Sequence, residues 1–236
     1  MKNLKLFAVG DLHLPGGQDK PMDIFGDCWT NHFQQISASW LQQVSSDDVV
    51  LIPGDISWAM HLEQALPDLH AIGDLPGRKL ILRGNHDYWW SSITQIRSRL
   101  PDSMTAIQHD AVDLGSLVVC GTRGWMFPTD ELMLSTEDMR ICQRELLRLR
   151  MALDQAMTIL RARPLVVMLH FPPLLGKVLH TCYTEVLEQY PVTHVVYGHL
   201  HGAGIRSAFQ GKNQGIVYQL VSCDAVGFQV VPVPVL

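Results

Sequence analysis

The sequence predicts an α/β fold, read as one domain over residues 1–236, and three observations carry that prediction. Apolar, strand-like runs alternate with stretches of helical periodicity. Each run breaks off abruptly at Gly, Asp, Asn or His. No internal repeat, low-complexity segment or linker divides the chain.

In chain order, "LKLFAV" leads into "GDLH", "VVLI" into "PGDIS" and "KLIL" into "RGNHD". Between the first two lies "NHFQQISASWLQQV", where Phe33, Ile36, Trp40, Leu41 and Val44 recur at helical spacing. "WAMHLEQALPDLHAI" predicts a helix with a break near Pro67, and "WWSSITQIRSRL" a short amphipathic helix stopped by Pro101. "TAIQHDAVDLGSLVVCGTRGW" predicts short strands with polar turns, a hairpin-like region. Ser135 followed by Asp138 marks the start of the longest helix, which Pro164 ends. "LVVML" then leads into "HFPP", a helix is expected over "TCYTEVLEQY", and "HVVY" leads into "GHLHG". "IVYQLVSCD" and "FQVVPVPVL" read as two last strands, with Pro232 and Pro234 consigning the second to a sheet edge.

Composition narrows the function. The chain is 47% hydrophobic and 17% charged with a net charge of −5, so a general nucleic-acid or membrane-surface binder is not expected. Cysteines 28, 120, 142, 182 and 223 are odd in number, widely spaced and without a C-x-x-C pair, which suits reduced thiols. The N-terminal apolar run beyond Lys2 and Lys5 is shorter than the ~7–15 residues of a signal peptide. No stretch approaches the ~18 apolar residues of a membrane span. A cytoplasmic location follows as the expectation.

The strand ends carry the chemistry. They present Asp11 and His13, Asp55, Asn85 with His86 and Asp87, His170, and His199 with His201. In open α/β sheets, ligands bind at such carboxyl ends. Singly, an Asp after Gly is a turn residue and a His after a strand is a satisfied histidine. Five strand ends offering only Asp, Asn and His point instead to a metal site. Imidazole and carboxylate suit Mn, Fe, Zn, Ni or Co, and the absence of cysteine argues against a closed structural zinc site. The set is too large for one tetrahedral ion and about right for two ions sharing a carboxylate.

The ordered set "GDLH", "GDIS", "GNHD", the lone His of "LHFPP" and "GHLH" resembles the calcineurin-like metallophosphoesterase superfamily, whose pattern is D-x-H, GD, GNH(D/E), H and GH-x-H. All five blocks occur in order between Asp11 and His201. The resemblance implies a four-layer fold, two mixed β-sheets packed face to face with helices outside. It implies two divalent or transition-metal ions, with Asp11, His13 and His201 on one, Asn85, His170 and His199 on the other, and Asp55 bridging. His86 is then not a ligand but the catalytic general acid, facing substrate.

Such a pair of ions can hold a hydroxide between them and clamp phosphoryl oxygens, so a phosphohydrolase of small phosphomonoesters or phosphodiesters is expected, a nucleotide-like substrate among the candidates. "GDISWAM" lacks the D-R-G that follows in the protein-phosphatase branch, which argues against protein dephosphorylation. The alternatives are a metal-dependent nuclease and a catalytically idle metal-binding scaffold of the same fold. Asp87 reads as a helix N-cap or as a residue orienting His86 or a metal-bound histidine, and Arg83 as a structural ion pair or a phosphate contact. Among the aromatics, Trp58 and Trp125 are expected at the mouth of the site, and Trp89 and Trp90 in helix docking.

Overall fold

The computed structural model describes residues 4–17, 22–129 and 131–235. Lys2 and the last residue of the tail strand, Leu236, lie outside them. Among the described residues, one sheet has the order β11-β1-β2-β3-β4 and comprises β1 (Leu6–Ala8), β2 (Val49–Ile52), β3 (Arg78–Leu82), β4 (Met104–Ile107) and β11 (Val231–Pro232). The other has the order β5-β6-β7-β8-β10-β9. It comprises β5 (Asp110–Asp113), β6 (Val118–Thr122), β7 (Leu165–Leu169), β8 (Val192–Tyr197), β9 (Gly211–Asn213) and β10 (Ile216–Leu220). Both sheets are mixed: the central strands run parallel, while β11, β5 and β9 pair antiparallel at or near the edges.

Residue alternation divides these strands among three apolar layers, because successive side chains point to opposite faces. In β2, Val50 and Ile52 join the layer beneath the first sheet's helices, while Val49 and Leu51 join the layer between the sheets. In β7, Val166 and Met168 enter that same middle layer, while Leu165, Val167 and Leu169 face the second sheet's helices. The sheets therefore pack face to face, with helices outside, as the resemblance implies. Being buried on both faces, the central strands read as unbroken apolar runs rather than alternating ones.

The helices are α1 (His32–Gln43), α2 (Leu62–Gly73) and α3 (Ile93–Arg97) over the first sheet, and α4 (Thr136–Ile159) and α5 (Cys182–Leu187) over the second. Helix α4 starts as predicted, with the Ser135 hydroxyl accepting the Asp138 amide at 3.0 Å. Four details depart from the sequence reading. Pro67 lies inside α2 without breaking it. Its missing N–H forfeits only the bond to Glu63, one turn from the start, and the buried Ala65, Leu69 and Ile72 hold the helix down. Helix α4 ends ahead of Pro164, at left-handed Arg161 and Ala162. "WWSSITQIRSRL" forms only the five-residue α3. The β5–β6 hairpin forms, but β4 joins the first sheet, parallel to β3.

All five cysteines are free, and no helix of the described residues is long and apolar enough to cross a membrane. Within α1, Trp40 is fully buried and donates Nε1–H to the Pro76 carbonyl at 2.9 Å, whereas Leu41, expected on the apolar face, is 65% exposed. Trp40→Ala should therefore cost about 3–5 kcal/mol and Leu41→Ala less than about 0.5 kcal/mol, read as shifts in the denaturant midpoint.

Candidate metal centre

Parallel pairing of β1 with β2 and β2 with β3 brings "GDLH", "GDIS" and "GNHD" to one edge of the first sheet. The β7–β8 pairing does the same for His170 and "GHLH" in the second. Face-to-face packing then joins the two sets of corners at a seam.

At this seam the backbone turns left-handed at Asp11 (φ 57°), His13 (φ 46°), Asp55 (φ 50°) and His199 (φ 72°). Non-glycine residues in that region cost about 1–3 kcal/mol each and persist only where their surroundings hold them. Backbone bonds do the holding: the Asp11 amide donates to Gly54 at 2.9 Å and the His13 amide to Asp55 at 3.0 Å. Glycine is required at two of the corners by close approach. A Cβ on Gly84 would lie 2.0 Å from Asp55 Oδ1, and one on Gly198 2.2 Å from Asp11 Oδ2. In the room so left, Asp55 Oδ1 accepts the His86 amide at 2.8 Å, and the Asp11 carboxylate accepts the His199 amide at 3.0 and 3.1 Å.

All seven predicted ligands converge. Asp11, His13 and His201 each present one donor atom within 4.8 Å of one another, and so do Asp55, His170 and His199. Asn85 belongs with the second group, its Oδ1 lying 2.7 Å from His170 Nε2 and 2.9 Å from His199 Nδ1. Asp55 Oδ2 stands between the groups, 3.9 Å from His13 Nε2 and 3.5 Å from His170 Nε2.

The hydrogen bonds set which ring nitrogens carry lone pairs inward. His170 Nδ1 faces the Pro53 carbonyl at 3.0 Å, so the neutral ring donates there and turns a bare Nε2 toward the Asn85 oxygen. His201 Nδ1 faces Asp224 Oδ1 at 2.9 Å, which turns its Nε2 inward, 3.3 Å from Asp11 Oδ1 and 3.4 Å from His13 Nε2. Acceptors thus face acceptors in a buried pocket, which is costly unless a cation lies among them. The donor set of imidazole nitrogens and carboxylate and amide oxygens fits two transition-metal or divalent ions.

Acid–base behaviour agrees. Burial lowers the His13 pKa to about 3 against the pull of Asp11. Burial, then His170, lowers His199 to about 3, so both rings are neutral and ready to ligate. Burial, then the Asp11 charge, pushes Asp55 up to about 8. Burial opposes ionisation of Asp11 too, but the His201 hydrogen bond and the surrounding rings hold it well below the usual carboxylate range. His201 resists burial through its bonds to Asp11 and Asp224 and rises to about 10.

Sequence reasoning passed over several residues here. Asp224, whose other oxygen accepts the Gly202 amide at 2.9 Å, fixes His201 from behind. It follows the strand "IVYQLV" as Asp follows the other strands, and the same rule would have found it. His32 Nε2 meets the Leu12 carbonyl at 2.8 Å, bracing the residue between Asp11 and His13. Asp87 neither caps a helix nor orients a histidine. Fully buried, it accepts the amides of Gly84 at 2.7 Å and Ile56 at 2.8 Å, tying two corners together. Burial and the Asp55 charge raise its pKa to about 6.

His86 lies over the first group with its ring centroid 4.7 Å from Trp58 and 5.8 Å from His13. Trp58 stacks on His13 at 4.8 Å, as expected for the mouth, and lines a pocket of about 310 Å³ with Met22, Phe25, Trp29 and His86. Trp29, unforeseen, comes from a short 3-10 turn. Trp125 stands further back than expected, against Phe171, which itself lies 4.1 Å from His199. Its indole is drawn away by Asp138, which accepts Nε1–H at 3.2 Å. Trp89 and Trp90 are buried in the helix-docking layer.

Comparison with known proteins places this geometry. The family model for calcineurin-like phosphoesterases matches residues 4–203. A curated relative, the Gene 66 protein of Mycobacterium phage L5, is 38% identical over 84 residues, which cover 34% of this chain and 38% of that protein. Two solved structures share the fold over 98% of this chain. One is a phosphopantetheinyl hydrolase from Mycobacterium tuberculosis, with TM-score 0.59, 14% identity and 95% of its chain covered. The other is a protein of unknown function from Aquifex aeolicus, with TM-score 0.52, 13% identity and 96% of its chain covered. The match over most of its length shows that the chain belongs to the calcineurin-like phosphoesterase family.

Proposed function

We propose that the chain is a two-metal phosphohydrolase of small phosphoesters, with Asp11, His13 and His201 holding one ion, Asn85, His170 and His199 the other, and Asp55 shared. The observation that carries this reading is the position of Asp55 Oδ2 between an imidazole nitrogen of each group. Two divalent ions bound there supply Lewis acidity to phosphoryl oxygens and bring a water's pKa toward neutrality. Asp11 and Asp55 offset half of their four positive charges, and the rest attracts a phosphate anion without a basic surface.

The protein's own groups then do the positioning. Asp224 keeps His201 turned inward, and the His86 amide keeps Asp55 in place. The His86 side chain is the proton donor for the leaving oxygen, supported by its place in the pocket wall beside His13 and His201. The aromatic and thioether lining of that pocket suits an uncharged, partly apolar leaving group. A second apolar pocket of about 400 Å³ lies beside His199, walled by Phe127, Phe171, Leu175 and Leu200. One apolar pocket beside each metal group favours a phosphodiester with an uncharged arm in each. The Mycobacterium tuberculosis neighbour, named as a phosphopantetheinyl hydrolase, makes esters of that kind the first to try.

The test is a panel of p-nitrophenyl phosphate, its bis ester and alkyl phosphodiesters, run with Mn, Fe, Ni, Zn and Co. Turnover should require metal, stop on chelation and favour diesters. Asp55→Asn should lose about three orders of magnitude or more while folding normally; full activity in that variant would refute the shared carboxylate. His86→Gln should lose about 10²–10⁴-fold on alkyl esters, whose leaving group needs a proton, and distinctly less on p-nitrophenyl esters. An equal loss on both would remove the general-acid role. Asp224→Asn should weaken manganese binding about 10–100-fold, measured by titration calorimetry.

A further inference from the structure

We propose that a third cavity, lined by four arginines and sharing no lining residue with the two metal groups, binds a phosphate-bearing small molecule. It measures about 320 Å³, at the small end of ligand cavities. Arg83 enters it just beyond β3 and Arg123 just beyond β6, while Arg144 and Arg148 come from α4. Against four guanidiniums stands one carboxylate, the fully buried Glu145.

That carboxylate is already engaged. Its Oε2 accepts the Thr122 hydroxyl at 2.7 Å and its Oε1 accepts Arg148 Nη1 at 2.7 Å. Arg123 and Arg144 reach Glu145 Oε1 only at 3.9 and 4.0 Å. Arg83 makes no hydrogen bond or ion pair with any described residue, and its buried Nε has no partner. The Arg123 pKa is lowered first by burial and further by Arg83, Arg144 and Arg148, against the attraction of Glu145, so the four cations crowd one another. Guanidinium does not deprotonate to relieve such crowding. An anion relieves it, and phosphate does so best: its oxygens accept forked N–H pairs from several directions, and its double charge answers an excess of three.

The cavity also touches the metal corners through the backbone. Arg83 is two residues ahead of Asn85. The Arg123 carbonyl accepts the amides of His170 and Phe171, each at 3.0 Å. The guanidinium of Arg123 lies 4.5 Å over the Trp125 ring, which packs on Phe171 beside His199. A phosphate held here sits on the segment that carries Asn85 and on one hydrogen-bonded to His170. It belongs either to a far end of the substrate or to a separate effector.

The test uses the full, metal-loaded chain with inorganic pyrophosphate as probe and hydrogen exchange of α4 as readout, because α4 carries none of the metal-ligand candidates. Pyrophosphate should slow exchange around Arg144–Arg148 in the unmodified chain and in Asp55→Asn. In Arg83→Gln/Arg144→Gln the concentration needed should rise about tenfold to a hundredfold. Arg144→Gln alone, on a side chain 53% exposed, serves if the double variant does not fold. Protection unchanged in the variants, protection confined to the metal corners, or equal protection by acetate would each overturn the proposal. A preference for bisphosphorylated over monophosphorylated esters that the variants lose would assign the site to the substrate's second phosphate. Protection by pyrophosphate without such a preference would assign it to a separate effector. Neither result depends on which ester is the natural substrate.

Discussion

Two carboxylates forced together in a buried seam are the constraint on which the rest of the architecture depends. Asp11 and Asp55 end adjacent parallel strands, both fully or almost fully buried, and both turned inward by a left-handed backbone. Like charges so placed cannot both persist unaided, and the divided acidities of the two groups, one held down and the other raised to about 8, express that conflict. Nothing apolar resolves it. Positive charge does, and four imidazole rings and one amide surround the carboxylates where it would sit. The local strain of four left-handed corners becomes intelligible on the same ground, since relaxing any of them would point a donor away from the seam.

Packing makes that seam rigid. The layer between the sheets is built from small and medium aliphatic side chains such as Ala8, Leu51, Val119, Val166 and Val196, with no polar atom to satisfy and little room to shift. It fixes the distance between the two sets of strand ends, and so the distance between Asp55 on one sheet and His170 on the other. The supporting hydrogen bonds cross between segments that are remote in the chain. Asp87 binds the Ile56 and Gly84 turns, Cys223 Sγ donates to the Asp11 carbonyl at 3.1 Å, and Asp224 braces His201. Each of these would be of small consequence on a surface. At a metal centre each sets the direction in which a donor points.

The legible part of this structure was the part written in contiguous residues. Strand ends, their Asp, Asn and His, and the order of the five blocks all lie within short stretches, so the α/β class and the candidate residues could be read directly, while the paired sheets and the choice of seven ligands came from the resemblance those blocks carry. What stayed hidden depends on partners far apart. Asp87 looks like a cap because its neighbours in sequence begin a helical stretch, yet its hydrogen bonds go to residues 56 and 57. Leu41 fits a helical stripe by spacing yet stands exposed, while Trp40 beside it is fully enclosed, because which side of α1 meets the sheet is set by partners far away in the chain. Pro67 signals a break because propensity is local, whereas the burial of Ala65, Leu69 and Ile72 is not. Asp224 escaped for a different reason: it lies beyond His201, where the motif ends, although the strand-end rule extends to it unchanged.

The location of the arginines follows from the same geometry. Neither pocket beside the metal groups is lined by an arginine or lysine, so positive charge there would come from the ions. The arginines gather instead at a neighbouring strand end, where β3 and β6 finish against α4 and a buried Glu145 anchors the cluster without neutralising it. The protein is acidic overall, at a net charge of −5, yet this arrangement gives it two concentrated points of anion attraction. One depends on metal and the other does not, so chelation abolishes the first and leaves the second, a difference in chemistry rather than in degree.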